Sequence, residues 1–308
     1  MGRNPKRRKI IEYCLIAVAV FFCIKFVLIL IDAAKKGIAA ESNPMEFLPS
    51  LFYMLFKSGG MFLKGIKTTV LIALFGTAIA FVLALLLVFI RIQTPQRQDK
   101  DIPAILKKIG ALFAKVYITV IRGTPMMVQA LIFYYAGFGI FKSRGLSVSE
   151  INRIWSFFIS GLITVSLNST AYLTEVLRGG INSIDPGQME AARSLGMSSW
   201  QAMIGIVFPQ AVKNSVPAIG NEFIINIKDS SVLSVIGCYD LMYATTTVVG
   251  IYYKALPVYC IAAVTYLILT CLSSLLMKWI GKKLDTQSQP LPSSNRGRKQ
   301  IYGTYIEN

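Results

Sequence analysis

One stretch of the sequence, TTVLIALFGTAIAFVLALLLVFI at residues 68–90, contains no charged residue. It is longer than the roughly 18 apolar residues that mark a membrane-crossing α-helix. Five other predominantly apolar runs exceed the same length, and they occupy residues 10–31, 116–141, 154–177, 208–236 and 256–277. The sequence therefore predicts an all-α, polytopic membrane protein with six transmembrane helices.

The overall composition supports the same class and narrows the chemistry. Of the 308 residues, 54% are hydrophobic and only 15% are charged, whereas soluble domains carry about 25% charged residues. The chain has no histidine, which removes the commonest general base and the commonest metal ligand. Its five cysteines include no C-x-x-C pair. We therefore predict no catalytic, cofactor or metal site in this chain.

Positive charge is distributed as membrane topology requires. The chain carries 32 Lys and Arg against 15 Asp and Glu, a net charge of +17. These basic residues cluster beside the apolar runs and form no stripe that would follow phosphates, which favours a lipid bilayer over nucleic acid as the partner. Most of them lie in segments that face the cytosol if the N-terminus is inside. The positive-inside rule therefore predicts a multi-pass protein with both termini in the cytosol.

The segments around the six runs define the predicted domain organisation. They are a basic cytosolic N-terminus at 1–9, an additional N-terminal helix at 10–31, an external and interfacial segment at 32–67, a transmembrane domain at 68–280, and a flexible cytosolic tail at 281–308. The tail is rich in Ser, Pro, Gln and Asn, which is typical of flexible chains. A cleaved signal peptide is the alternative for 10–31, but this run is longer than the 7–15 apolar residues of a signal peptide.

A glycine-rich segment at residues 60–68, GMFLKGIKT, is a near miss to a nucleotide-binding P-loop. In that motif the lysine directly follows the second glycine, so that the loop can wrap phosphates. Here Ile66 separates the glycine from the lysine, and we interpret the segment as an interfacial turn. If the chain moves a solute uphill, the energy therefore comes from another protein.

The clearest local signals lie between the fourth and fifth runs, in DPGQMEAARSLGMSSWQAMIGIVFP at residues 185–209. Asp185 is a good helix N-cap, and Pro186 follows it at the first helical position. Gly196 suits the left-handed residue that ends a helix. These signals predict a short capped helix that stops at a glycine.

A second capped helix is predicted directly after the first. Ser198 and Gln201 have the spacing of a capping box. Pro209 is expected to limit this second helix. The segment therefore predicts a helix–turn–helix on the cytosolic side of the membrane.

The Glu190-Ala191-Ala192 triplet on the first helix is suited to docking, because surface alanines allow a partner to approach closely and Glu190 offers a charge to a basic partner. With Gly196 and the run Ile206-Val-Phe208-Pro209, it resembles the EAA loop of ABC-importer permeases, which couples to a separate ATP-binding subunit. Phe208 replaces the usual leucine, an apolar exchange. The resemblance assigns residues 178–209 as a coupling loop. Its implied coupling residues are Asp185, Glu190, Ala191, Ala192, Gly196, Ile206 and Pro209.

Three further motifs resemble the polar amino-acid subgroup of these permeases. They are YITVIRGTPMMVQ at 117–129, AYLTEVLRGGI at 171–181 and IKDSS at 227–231. The resemblance covers roughly residues 65–277 and leaves the first helix outside. It implies a type I ABC-importer permease fold in the bacterial cell membrane and a polar amino acid as substrate. It also implies three kinds of partner: a second permease chain, the same or a sister; two ATP-binding subunits that hold ATP and Mg; and an extracytoplasmic solute-binding protein.

Polar residues inside the predicted helices are candidates for a translocation pathway or gate. A charged residue in a bilayer costs roughly 2.5–3.5 kcal/mol on insertion scales, so it usually faces a bundle interior or a wet cavity. Helical spacing places residues 222, 226 and 229 on one stripe, and residues 168, 172 and 175 on another. The candidates are Arg122, Pro125, Gln129, Asn168, Glu175, Glu222, Asn226, Lys228 and Asp229.

The same residues admit a purely structural interpretation. Glu175 and Arg178 are i, i+3 neighbours that can pair with each other. Gly123 and Pro125 predict a kink, because proline removes a helical hydrogen bond, and Arg122 is placed to cap the carbonyls that this break frees. Both interpretations, substrate contact and structural pairing, remain open from the sequence.

Two other classes of function are possible from composition. An ion-driven secondary transporter would use Glu222 and Asp229 as an ion relay. A membrane-embedded enzyme would need a converging catalytic set, which the scattered Ser, Asp and Lys residues do not suggest. The resemblance at residues 185–209 favours the ABC permease.

Overall fold

The structure, a computed structural model, describes residues 5–92 and 101–285. All regular elements in these two ranges are helical, which confirms the predicted all-α class. The helices are α1 (Pro5–Ala39), α2 (Phe47–Lys57), α3 (Gly59–Ile92), α4 (Asp101–Gly123), α5 (Met126–Ser143), α6 (Val148–Ile154), α7 (Phe157–Asn182), α8 (Pro186–Ser194), α9 (Ser199–Ala202), a π-helical turn (Met203–Val207), α10 (Phe208–Asp229), a 3-10 helix (Ser230–Ile236), α11 (Leu241–Tyr252) and α12 (Ala255–Asp285).

The boundaries refine the predicted segments. The first helix continues to Ala39. The interpretation of residues 60–68 as an interfacial turn is wrong, because α3 begins at Gly59 and contains them. The last helix extends to Asp285. The first four residues of the predicted N-terminus, and residues 286–308 of the predicted tail, lie outside the described residues.

Three described helices are long and apolar enough to cross a membrane, namely Gly59–Ile92, Phe157–Asn182 and Ala255–Lys283. A fourth span is possible if the bent pair Ser199–Ile236 and Leu241–Tyr252, with 52° between its parts, crosses as one. The predicted run 10–31 lies within α1. The run 116–141 is divided between α4 and α5, because Pro125 has an extended backbone with φ −63° and ψ 135°. The protein is therefore polytopic, as predicted, and its apolar runs fold into helices.

The centre of the bundle is α7, which packs on α3 along one face and on α10 along another. At Gly76 of α3, a Cβ atom would lie 2.7 Å from the Val165 side chain on α7. At Gly180 of α7, it would lie 2.7 Å from the Ala211 carbonyl oxygen on α10. Of the apolar 18-residue segment by which each helix qualifies as a membrane span, 61% is buried inside the protein in α7 and only 11% in α12. Helix α12 is therefore peripheral, and α7 is the helix around which the others are arranged.

The first helix stands apart from this bundle. Its last turns pack on α2 at Gly37, where a Cβ atom would lie 2.3 Å from the Pro49 carbonyl oxygen. Residues 18–29 are exposed, although most of them are apolar. Apolar side chains that do not pack on their own chain suit a lipid environment. The structure thus agrees with a first helix that lies outside the shared bundle.

Candidate functional site

The segment from Asp185 to Pro209 folds into two short helices joined by a turn, as predicted. The Asp185 side chain accepts a hydrogen bond from the Gly187 backbone N–H at 2.8 Å, and Pro186 occupies the first turn of α8. Gly196 has φ +85°, the left-handed conformation predicted for the residue that ends the helix. We call residues 185–209 the hairpin.

The second helix of the hairpin begins with the predicted capping box. The Ser198 hydroxyl accepts from the Gln201 backbone N–H at 3.2 Å, and the Ser198 backbone N–H donates to Gln201 Oε1 at 2.8 Å. These two bonds satisfy backbone groups that a helix end would otherwise leave unpaired. The start of α9 is thus stabilised by contacts among residues 198–201.

The prediction that Pro209 limits the second helix is wrong. The chain passes from α9 through the π-helical turn into α10, with Pro209 in the first turn of α10. Within the turn, the Phe208 backbone N–H reaches back to the Met203 carbonyl oxygen, five residues earlier. A proline has no N–H and its ring clashes with the carbonyl four residues before it, so the wider π turn lets the helix continue past it. The hairpin therefore continues into α10 without a break in the helical path.

The exposed surface of the hairpin differs from the prediction at one residue. Ala192 is 1% exposed and faces inward, where its carbonyl oxygen accepts from the Met197 N–H at 3.2 Å. Glu190 and Ala191 are exposed, Ile206 is half-buried, and Leu195 at the tip is 84% exposed. A short helix followed by a tight turn must bury one side, and Ala192 lies on that side. The surface available to a partner therefore centres on Glu190, Ala191 and Leu195.

An aromatic cluster joins the hairpin to α3, and the sequence analysis did not find it. The Phe89 ring, near the end of α3, lies 5.9 Å from the Trp200 ring of α9 and 4.6 Å from the Phe208 ring of α10. Such aromatic pairs add to the apolar area that they bury. The hairpin therefore contacts α3 as well as continuing into α10.

A cluster of charges lies a few residues before the hairpin on α7. One oxygen of Glu175 accepts from Arg178 at 2.9 Å (Nε) and 2.8 Å (Nη2), which confirms the predicted i, i+3 pair. The other Glu175 oxygen pairs with Arg91 of α3. Arg91 was missed because it lies 84 residues away in sequence. This shared carboxylate ties α3 to α7 at the end that carries the hairpin.

Arg122 does not cap the broken end of α4, contrary to the structural interpretation of the sequence. Its guanidinium lies 5.2 Å above the Tyr172 ring. Gln129 serves the break instead, since its Nε2 donates to Ile121 O at 2.7 Å and to Thr124 O at 3.0 Å. The amide is better placed because Gln129 lies one turn beyond the proline and points back across it.

Two neighbouring residues of α7 bind different helices. Asn168 donates to the Gln129 side-chain oxygen at 2.9 Å, on the α5 side. Ser169 donates to the Asn226 side-chain oxygen at 2.9 Å, and Asn226 donates in turn to the Thr77 hydroxyl of α3 at 2.9 Å. All five side chains are buried. We call these five residues the interior network; each of its members has a partner, as buried polar groups require.

The α10 stripe is buried on the side that sequence spacing predicted. Glu222 and Asn226 are buried, Asp229 is half-buried, and Lys228 on the adjoining stripe is exposed. Glu222 lies beside Ser169 of α7. The two predicted stripes therefore meet only in part, because residues 172 and 175 turn toward α4 and α3 instead. In the described ranges, no three Cys, Asp or Glu side chains lie close enough to hold a metal ion.

A family model described as "Binding-protein-dependent transport system inner membrane component" matches residues 104–286. The putative glutamine transport system permease protein GlnP of Rickettsia conorii is 34% identical over 240 residues, 78% of this chain and 96% of that protein. The probable glutamine ABC transporter permease protein GlnM of Bacillus subtilis is 32% identical over 75% of this chain and 97% of its own length. The nopaline transport system permease protein NocM of Agrobacterium fabrum is 31% identical over 73% of this chain and 88% of its own length.

Solved structures show the same architecture. The crystal structure of an amino acid ABC transporter with histidines superimposes with a TM-score of 0.64 at 32% identity, covering 78% of this chain and 99% of that one. An inward-facing structure of the MetNI methionine ABC transporter gives a TM-score of 0.56 at 14% identity, covering 75% of this chain and 98% of that one. The second similarity bears on the fold alone, and both place the described helices in the ABC-importer permease architecture.

Proposed function

This chain belongs to the family of inner membrane components of binding-protein-dependent transport systems, and from that premise we propose that it imports polar amino acids. It forms part of the translocation pathway and leaves ATP hydrolysis to other subunits. The substrate class is supported by relatives described as glutamine and nopaline permeases. It is supported further by the similar transporter crystallised with histidines.

The assembly that we propose follows the family. Two ATP-binding subunits, with their ATP and Mg, contact the hairpin from the cytosol. A second permease chain completes the pathway, and an extracytoplasmic solute-binding protein delivers the substrate. In this arrangement both termini of the chain lie in the cytosol, as the distribution of its Lys and Arg residues favours.

The observation that carries the coupling role is the exposed hairpin with its internally capped helices. Closure of the ATP-binding subunits would push on Glu190, Ala191 and Leu195. Because the hairpin is continuous with α10 and packs on Phe89, the push would tilt α3, α7 and α10 together. Tilting helices relative to their neighbours is the usual way in which a central cavity alternates its exposure.

The candidate pathway residues divide into two proposed groups. Gln129 and Asn168 bond to each other beside the break at Pro125, and Asn226 bonds to Ser169 and Thr77. We therefore assign these three amides to holding the helix geometry of the gate. The charged candidates differ in their surroundings: Glu175 is paired with Arg91 and Arg178, whereas Glu222, Asp229 and Lys228 form no ion pair with a described residue. Arg122 and Lys228 would face the substrate carboxylate, and the carboxylates on α7 and α10 would face its ammonium group. These carboxylates are Glu175, Glu222 and Asp229.

Gly196→Asp tests the coupling role. It forces a side chain into the left-handed turn and adds a negative charge at the docking surface, so co-purification of the ATP-binding subunit should fall at least tenfold while the chain still inserts in the membrane. Gly145→Asp is the matched control, because Gly145 also has a left-handed backbone, φ +84°, with open space around it, in the turn between α5 and α6. Equal retention of the ATPase by both variants would remove the hairpin from the coupling role.

Reconstitution into vesicles separates this function from an ion-driven transporter. Uptake of a polar amino acid should require ATP on the hairpin side, the ATP-binding subunit and the solute-binding protein. Uptake that persists on an ion gradient, without the ATP-binding subunit, would favour the relay of Glu222 and Asp229 and contradict the proposal.

Glu222→Gln tests the pathway assignment within the same assay. Removing this charge should lower uptake more than it lowers assembly with the ATP-binding subunit, because a side chain that only fills space tolerates the amide. Glu150→Gln, at an exposed position in α6, is the control and should behave as the parent chain does. Unchanged uptake kinetics for Glu222→Gln would leave Glu222 with a structural role.

A further inference from the structure

The helical path breaks between the 3-10 helix and α11, and the break is folded into the protein interior. Gly237 ends the 3-10 helix with a left-handed backbone, φ +92°, and the helices on the two sides of the break lie at 52° to each other. Asp240, the N-cap of α11, is 0% exposed. At Gly65 of α3, a Cβ atom would lie 2.8 Å from the Asp240 carbonyl oxygen. The break is therefore packed tightly against α3.

Asp240 carries a carboxylate that α11 uses only in part. Its Oδ1 accepts a hydrogen bond from the Tyr243 N–H at 2.8 Å, which caps the helix. Its Oδ2 is buried and has no hydrogen-bond partner among the described residues, and none of them forms an ion pair with Asp240. An unpaired charge is costly to bury, so buried charges in proteins are normally paired. The Asp240 side chain therefore lacks both a hydrogen bond and a charge partner.

A second unpartnered oxygen lies in the same place. The Tyr266 hydroxyl of α12 is buried without a hydrogen-bond partner in the described part of the chain, and its side chain packs on the apolar cluster that contains Leu241. This hydroxyl and the Asp240 carboxylate both lie beside the Met242 N–H. The Thr69 hydroxyl of α3 accepts from the Leu241 N–H at 3.1 Å and lies beside the tyrosine hydroxyl. Oxygens from α3, α12 and the cap of α11 therefore converge at the break.

Three kinds of occupant differ in what they would satisfy at Asp240. A proton would remove the charge, but the new O–H would have no acceptor, because no described residue lies within hydrogen-bond distance of Oδ2. A water molecule would bond to the unpaired oxygens but leave the charge uncompensated. A cation meets both demands, because carboxylate and hydroxyl oxygens are the ligands that hard cations prefer. The single carboxylate suits a monovalent cation, since sites for Ca²⁺ and for transition metals gather more ligands.

We propose that Asp240 Oδ2, the Tyr266 hydroxyl and the Thr69 hydroxyl bind a monovalent alkali cation, for which sodium is the probe. The cation stabilises the buried carboxylate and joins α3, α11 and α12 at the break. Secondary transporters likewise bind Na⁺ where a membrane helix is broken. The site departs from the expectation of no metal site, which rested on the absence of histidine and of paired cysteines. The proposal needs only the described helices and not the identity of the transported solute.

Thermal unfolding of the full chain in detergent tests the site, with choline chloride replacing sodium chloride at constant ionic strength. A ligand that binds only the folded chain raises its unfolding midpoint, so an increase in sodium from about 1 to about 100 mM should raise the midpoint by about 3 °C or more. Asp240→Asn should abolish this response, because asparagine keeps the helix cap but loses the charge. Asp185→Asn is the matched control, since it makes the same change at the exposed N-cap of α8, and it should keep the response.

Tyr266→Phe distinguishes a ligand from an oxygen that is merely unpaired. If the hydroxyl binds the cation, the variant should lose most of the response to sodium and should be less stable than the parent chain only in sodium. If the hydroxyl is simply unpaired, its removal relieves a buried unsatisfied group and should raise the midpoint equally in both salts. That second result would contradict the proposal. Tyr259→Phe, at a 41% exposed position of α12, is the control and should respond as the parent chain does.

Two further outcomes would overturn the proposal. One is an equal midpoint of the parent chain in sodium, potassium and choline. The other is a midpoint that responds to acidification through Asp240 and to no alkali cation, because a proton would then be the occupant.

Equilibrium binding of radioactive sodium keeps the proposal testable if a variant loses stability in every salt. The purified parent chain should bind the label saturably, and Asp185→Asn should bind it equally. An absence of saturable binding to the parent chain would contradict the site. So would saturable binding that persists in a folded Asp240→Asn chain.

Discussion

The hairpin and the interior network use the same kinds of polar side chain in opposite ways. In the hairpin, the capping bonds join residues two or three apart, such as Asp185 with Gly187 and Ser198 with Gln201. In the interior network, the bonds join residues 39, 57 and 149 apart in sequence. The caps of the hairpin are therefore held by bonds within the hairpin itself, whereas the network fixes helices against one another. This contrast suits a lever that acts on a rigid bundle.

The two regions are joined by contacts of a third kind. Phe89 packs the hairpin against α3, and Glu175 ties α3 to α7 through Arg91 and Arg178. These contacts lie between the exposed lever and the buried network. In the coupling role that we propose for the hairpin, these partly buried aromatic and ionic contacts are its route to the network.

The largest expected effect comes from breaking the interior network with Asn226→Leu. The Ser169 hydroxyl then loses its acceptor, and a buried unsatisfied group costs about 1–3 kcal/mol. Thr77 loses the bond from Asn226 but keeps its bond to the Ala73 carbonyl oxygen. The midpoint of thermal unfolding in detergent should fall by several degrees. Asn221→Leu, the same substitution at an exposed position of α10, should change it little. Similar shifts for the two variants would mean that the network does not stabilise the bundle.

An intermediate effect is expected from Glu175→Gln, at the link between the regions. Breaking a fully buried ion pair costs about 3–5 kcal/mol, but these side chains are 18–41% exposed, so we expect about 1–2 kcal/mol of unfolding free energy. Asp32→Asn breaks the pair of Asp32 with Lys36, whose side chains are 65% and 60% exposed, and should cost nothing measurable. The unfolding free energies of both variants are measured by denaturation in the same detergent. A loss for Asp32→Asn as large as that for Glu175→Gln would contradict the structural role of the Glu175 pair.

The smallest effect on global stability is expected from Ser198→Ala, which removes a cap from the hairpin. Loss of an N-cap costs about 1 kcal/mol locally. Backbone amide exchange should accelerate at residues 199–201 while the unfolding midpoint stays unchanged. Ser147→Ala removes the matching capping box from α6 and should accelerate exchange only there. A global loss of stability with Ser198→Ala would contradict the expectation that this cap acts only on the local stability of the hairpin.

Sequence reasoning succeeded where the cause of a structure is local. The Asp185 cap, the left-handed Gly196, the Ser198 capping box and the break at Pro125 all follow from groups within a few residues of one another. The π-helical turn before Pro209 was missed, because a proline after a short helix normally indicates a stop, and here the continuing helix widens to pass it. Ala192 was misplaced because the buried side of a short helix depends on what packs against it.

The apolar runs and the capping signals by themselves determined that this chain is a helical membrane protein with a two-helix element between its fourth and fifth runs. Which helices pair was decided only by the tertiary structure, as the ties of Arg91 to Glu175, Ser169 to Asn226 and Phe89 to Trp200 illustrate. The physical reason is that an unpaired polar group is costly inside a membrane, while any of several serines, amides or arginines can serve as its partner. Packing selects among them by bringing one within reach.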